Sequence, residues 1–100
     1  MSIHGNSIQN QRPHHLYAIY DLEENSIFKY GISDKIIAIN GYSKRMREQV
    51  DYLYRAVGWS RYFATVLIRD IDGREEALDI ETNHIENYCL EYGQNPRGNL

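Results

Sequence analysis

The hydrophobic pattern starts at Leu16. Residues 1–14 are polar, rich in Asn, Gln, His and Ser, and follow neither a helical nor a strand period, so they are expected to form an arm or linker. From Leu16 to Asp21 the run L-Y-A-I-Y-D is apolar and β-prone, as is S-I-F-K-Y-G-I-S from Ser26 to Ser33. The Glu23-Glu24-Asn25 separator is turn chemistry, and together these segments predict a hairpin. Residues 34–42 (DKIIAINGY) fit either a third strand or a loop with one helical turn. Ser43 can cap a helix to about Val57, because Met46, Val50, Leu53, Tyr54 and Val57 recur at helical spacing and Gly58 can end it. Residues 61–69 (RYFATVLIR) predict a strand closed by an Asp70-Ile71-Asp72-Gly73 turn. A second helix is expected from Arg74 to Tyr92, with acidic residues in its first turn and Gly93 as its stop.

Strand, strand, helix, strand, helix without an internal repeat predicts one small α+β domain over residues 15–100. Its centre would be a mainly antiparallel three-stranded sheet flanked by helices. A chain of 100 residues has no room for a second core. The formal charge is −3, with 11 Lys and Arg against 14 Asp and Glu, so any nucleic-acid partner needs a local basic patch. Cys89 is the lone cysteine, which excludes an intramolecular disulfide and a cysteine-based zinc set. No apolar run approaches the roughly 20 residues of a membrane span, and residues 1–15 lack the apolar core of a signal peptide, so no membrane association is expected.

Two positions resist a structural explanation. On a helix over residues 77–92, Ala77, Leu78, Ile80, Ile85, Tyr88, Cys89 and Tyr92 gather on one side, and Glu81 falls in the middle of it. A carboxylate there needs an Arg, a tyrosine hydroxyl or a metal ion. The second is the basic turn Lys44, Arg45, Arg47 at the start of the first helix, where the helix dipole disfavours cations. A bound anion such as phosphate would account for it. The adjacent His14 and His15 point apart on a strand and make a poor zinc pair, while Tyr20, Tyr88 and Tyr92 read as core, His84 as either a half-buried core histidine or a group supporting Glu81 one turn away, and Trp59 as an anchor of the helix-to-strand connection.

The ordered set resembles a GIY-YIG nuclease domain over residues 15–99. His15-Leu16-Tyr17 stands in the place of the first motif and Lys29-Tyr30-Gly31 in that of the second. Arg45 matches the family's helix arginine, with Arg47 an alternative. Glu81 in "ALDIET" matches its glutamate, and Asn99 in "PRGN" its closing asparagine. The chain departs from the pattern at His15, where Gly is usual, and at Lys29, where tyrosine is usual; a shifted register would give Tyr30 the second-motif role. The opening "IHGNSIQNQRPHHLYAIYD" and "FKYGIS" also resemble C-terminal toxin modules of bacterial polymorphic toxins.

That resemblance implies a metal-dependent endonuclease acting as a monomer on nucleic acid, with DNA expected ahead of RNA. It further implies delivery into a competing cell, action in its cytoplasm, and a cognate immunity protein. Glu81 would hold Mg²⁺ or Mn²⁺. Tyr17 would be the general base, with Lys29 favouring its phenolate and Tyr30 a second hydroxyl. Arg45 would bind the scissile phosphate, with Lys44 or Arg47 on a flanking one, and Asn99 would fix Glu81 or a metal-bound water. Two alternatives stand beside this reading: a catalytically inactive nucleic-acid-binding module on the same fold, and a protein-interaction domain with no nucleic-acid affinity.

Overall fold

The computed structural model describes residues 10–100; the part of the expected arm over residues 1–9 lies outside the described residues. Strand β1 (Pro13–Asp21) and strand β2 (Ser26–Ser33) form the hairpin, followed by helix α1 (Lys44–Val57), strand β3 (Tyr62–Asp72), helix α2 (Gly73–Tyr92) and a C-terminal 3-10 turn (Arg97–Asn99). The three strands make one antiparallel sheet in the order β2-β1-β3, so β1, the most buried strand, lies in the middle. This is a small α+β domain of the class the pattern predicts. No helix among the described residues is long and apolar enough to cross a membrane.

Alternation along β1 decides where the helices go. Leu16 and Ala18 face one side with Tyr30, Ile32, Ile71 and Ala77, and α2 covers that side with Leu78, Ile80, Ile85 and Tyr88. Tyr17 and Ile19 face the other side with Met46 and Ala64, and α1 covers it with Val50 and Leu53. The two helices therefore sandwich the sheet from opposite faces, and both faces of β1 are buried from His14 to Ile19.

Element ends follow the chemistry of their residues. Gly58 and Gly93 take left-handed φ of 80° and 81° after α1 and α2, a conformation glycine adopts without a steric penalty. At the start of α1, the Ser43 hydroxyl meets His15 Nε2 at 2.9 Å while its backbone N–H donates to Met46 Sδ at 3.5 Å. His15 is buried, and burial, with His14 and Arg69 nearby, lowers its pKa from the usual imidazole value. The ambiguous stretch 34–42 is an irregular connection whose only ladder contact is a bridge between Ile37 and Ser43. β1 begins at Pro13, so His14 belongs to the sheet. Asn10 is buried just before it, with its amide donating to Asp34 at 3.0 Å and its carbonyl accepting from Arg74 N–H at 2.8 Å.

Three further placements differ from expectation. β3 runs on through the expected turn to Asp72, with Asp70 held at φ 56° and Ile71 buried in the α2-side core. Tyr92, read as core, is 60% exposed and packs on Tyr88 at the end of α2. Trp59, in the connection between α1 and β3, is also largely exposed.

At the turn end of the hairpin, Asp21 is fully buried and fully partnered. Arg61 grips both its oxygens, Nε to Oδ1 and Nη2 to Oδ2 at 2.8 Å each, Arg97 Nη2 donates to Oδ2, and the backbone N–H groups of Glu23 and Glu24 donate to Oδ1. These bonds, Arg61's first, hold the Asp21 carboxyl well below the usual carboxylate range. One side chain thereby ties together the hairpin turn, the start of β3 and the C-terminal tail.

Candidate active site

β2 is an edge strand, and the candidate site is built along it. A cavity of about 780 Å³ is bounded by residues 29–33 of β2, the first turns of α1, the first half of α2 and the C-terminal turn. Five cationic side chains line it, Lys29, Lys35, Lys44, Arg45 and Arg74, against the carboxylates of Asp34, Glu48 and Glu81. Two of those carboxylates have near partners. Asp34 pairs with Arg12 at 2.6 Å and with Lys35 at 3.9 Å, and Glu48 with Lys44 at 3.8 Å along the helix surface. The remainder is Glu81 facing Lys29, Arg45 and Arg74, a net positive group within a chain of net charge −3.

Glu81 is half-buried, and no ion pair within 4.0 Å joins it to a cation among the described residues. Burial raises its pKa; the charges of Lys29, Arg74 and Arg45 act in the opposite direction without prevailing. Lys29 is half-buried too, and its pKa is lowered by burial and by Arg45, with Glu81 opposing. These charges feel one another across the cavity without closing into pairs. An anion entering there meets cationic donors that form no ion pair among the described residues.

The register places the motif residues. Tyr17 pairs with Gly31 and Ile19 with Lys29, so Tyr17 and Lys29 stand on the same face of the sheet, one step apart. Gly31 is where it is because of the tyrosine: a Cβ there would lie 2.4 Å from Tyr17 Cζ and Oη. The phenol lies across Gly31, fully buried, and its hydroxyl donates to Gln49 Oε1 at 2.7 Å. Burial raises its pKa, and Arg45 is the cation that acts against this. Here the structure departs from expectation: the cation felt by the phenol is Arg45 rather than Lys29, the Glu81 charge adds to the effect of burial, and the net shift is upward.

Tyr30 points the other way. Its ring is buried on the α2 side, edge-on to His84 at 5.4 Å, and burial raises its pKa as well. Asn99 is also arranged differently from expectation. Its side-chain amide exchanges two hydrogen bonds with the Tyr30 backbone, accepting from N–H at 2.8 Å and donating to C=O at 2.9 Å, and so docks the C-terminal turn on the edge strand. Of the basic turn, Lys44 and Arg45 line the cavity, whereas Arg47 lies over the Tyr42 ring at 5.7 Å and is not among the lining residues. Sequence reasoning missed Gln49 and Arg74. Arg74, at the start of α2, had a legible signal, since it stands two turns before Glu81 on the same helix. Gln49 had none.

The donor set fits one hard divalent cation. Mg²⁺ is commonly held by one or two carboxylates with the rest of its shell from water and phosphate, and a single carboxylate facing a roomy cavity leaves that shell open. No group of three His, Cys, Asp or Glu side chains that could cage a metal occurs among the described residues.

A family model described as URI fold toxin 2 (Tox-URI2) matches residues 7–93. No curated protein and no solved structure matches the chain.

Proposed function

The chain belongs to the URI fold toxin 2 family, and from that premise we propose that it is a metal-dependent endonuclease of the GIY-YIG type. It would hydrolyse phosphodiester bonds, of DNA ahead of RNA, inside a target bacterial cell, with a cognate immunity protein as its partner. One observation carries this reading: Glu81, Lys29, Arg45 and Arg74 converge on one cavity without pairing. Glu81, Lys29 and Arg74 are half-buried and Arg45 is exposed beside them, so a phosphate with its counter-cation can reach and satisfy all four at once.

In this reading Arg45 and Arg74 grip the scissile phosphate and neutralise charge as it builds on the phosphoryl oxygens. Lys44, on the exposed turn before Arg45, reaches a flanking phosphate. Glu81 would hold Mg²⁺ or Mn²⁺, which supplies Lewis-acid stabilisation of the same oxygens when bound. Tyr17 takes the proton of the attacking water through its phenolate form, which Arg45 favours and burial opposes. Lys29, sharing the face of Tyr17 and lowered in pKa, supplies a donor for the leaving oxygen. Asn99 contributes by fixing the edge strand that carries Lys29.

The burial and raised pKa of Tyr17 favour one competing reading, a phosphate-binding module without turnover. Supercoiled-plasmid cleavage with and without Mg²⁺, wild type beside Glu81→Ala, separates the two. Metal-dependent nicking that the substitution lowers by about 100-fold or more is the expected result. Plasmid binding with no nicking by either protein, RNA also tried, would remove the nuclease and leave the binding module.

A further inference from the structure

A second cleft adjoins the cavity on the α1 side of the sheet. It measures about 320 Å³, near the low end of small-molecule pockets at roughly 300–1,000 Å³, and shares Lys29, Glu48 and Gly98 with the charged cavity. Its remaining walls are apolar or aromatic: Ile19, Phe28, Leu53 and the ring of Tyr52, with Gln49 at one side.

The cleft is built by a sheet irregularity. Ile19 pairs with Lys29 but the next residue, Tyr20, pairs with Ile27, so Phe28 is an extra residue in β2. A bulge of this kind re-aims a side chain. Phe28 accordingly packs with the Tyr17 and Ile19 cluster on the face of Lys29, and not on the α2 side where strict alternation would send it. Its ring is fixed edge-on to Tyr62 at 5.0 Å and lies under Arg97 at 5.4 Å. Gly98 closes over the pair; a Cβ there would lie 2.7 Å from Phe28 Cε2 and 2.8 Å from Lys29 Cβ. Opposite stands Tyr52, 66% exposed on α1. Gln49 Oε1 accepts from Tyr17, which turns the amide so that Nε2 is the group left to donate.

An apolar slot with an aromatic wall that opens directly onto a roomy cationic cavity matches a nucleotide: phosphate in one, base in the other. Resting on the nuclease reading, we propose that this cleft takes the unstacked base of the nucleotide beside the scissile phosphate, with Tyr52 and Phe28 as its walls. A base can enter only if it has left the duplex stack. The protein therefore favours single-stranded or locally opened nucleic acid over intact duplex, with little sequence preference, because every base offers an aromatic face.

The test is binding of labelled single-stranded DNA in EDTA, which separates affinity from cleavage, beside a wholly abasic strand with the same number of phosphates. The wild type is expected to bind the base-containing strand about tenfold or more tightly. Tyr52→Ala is expected to erase that difference and Tyr52→Phe to keep it, while Arg45→Ala weakens both strands alike. A strand containing 5-iodouracil should crosslink to Tyr52 or Phe28. Equal wild-type affinity for the two strands, or a base preference that survives Tyr52→Ala, overturns the cleft proposal while leaving the phosphate site standing. If neither strand binds and Arg45→Ala changes nothing, the nuclease reading falls and the cleft with it.

Discussion

Two carboxylates in this domain sit among arginines, and they are in opposite states. Asp21 is fully buried, yet two guanidinium groups and two backbone N–H groups saturate it, and its pKa lies below the usual carboxylate range. Glu81 is only half-buried and has three cations around it, but none within ion-pair distance among the described residues, and its pKa is raised. Burial alone thus does not separate structural from functional charge. Satisfaction does: the Asp21 cluster is complete within the chain, whereas Glu81 has no ion pair among the described residues and, in the proposed function, is completed by a phosphate and its cation.

The contrast is broken most directly by substitution. Asp21→Asn leaves Arg61 half of a grip and should cost roughly 3–5 kcal/mol of folding stability, as removal of one partner of a buried pair does. Glu81→Gln should leave stability within about 1 kcal/mol of wild type or raise it slightly, since no partner is lost. Urea unfolding at neutral pH measures both; equal losses would mean that Glu81 is held as tightly as Asp21 and the distinction is wrong.

A smaller effect is expected at Gly31, which reports on how rigidly the reactive cluster is framed. Its Cβ position is occupied by the Tyr17 phenol, so Gly31→Ala must push the ring off Gln49, at about 1–3 kcal/mol for an overpacked core. Cleavage should fall further than the stability loss accounts for. A variant that folds less well but cleaves normally would show that the phenol position is unimportant.

The smallest effect is in the pH dependence of stability in metal-free protein, where the two carboxylates have opposite signs. Folded Asp21 binds its proton less readily than the unfolded chain does. Its contribution is therefore present above about pH 4 and is lost as pH falls through the folded value. Glu81 binds its proton more readily when folded, so it lowers stability above its folded pKa, and that cost is relieved as pH falls. Denaturation midpoints taken stepwise from neutral to acid pH should show a smaller acid-side fall in Asp21→Asn, the part that remains coming from Asp34, whose pKa is also lowered. In Glu81→Gln that fall should be steeper than in wild type.

The elements were legible because α1 follows a helical hydrophobic repeat, the strands are β-prone apolar runs, and clear caps such as Ser43, Gly58 and Gly93 bound the helices. Periodicity also flagged Glu81 as a carboxylate on an apolar face. What it could not supply depends on contacts distant in sequence. The bulge that turns Phe28 onto the face of Lys29 is fixed by pairing with β1. That Arg45 and not Arg47 reaches the cavity depends on where the Tyr42 ring lies. The use of Asn99 on the Tyr30 backbone spans 69 positions. Asp21 shows the same limit: it reads as the end of a strand, and only the fold brings Arg61 and Arg97 to it.

The Asn99 clamp has one more consequence. Ala18 and Tyr30 are paired across the hairpin, but both peptide groups of Tyr30 point outward to the tail, where the Asn99 amide stands in for a neighbouring strand. An edge with open peptide groups is a template on which a second chain can add and polymerise. By occupying that position, the Asn99 amide withholds the Tyr30 peptide groups from such pairing, on the strand that also carries Lys29.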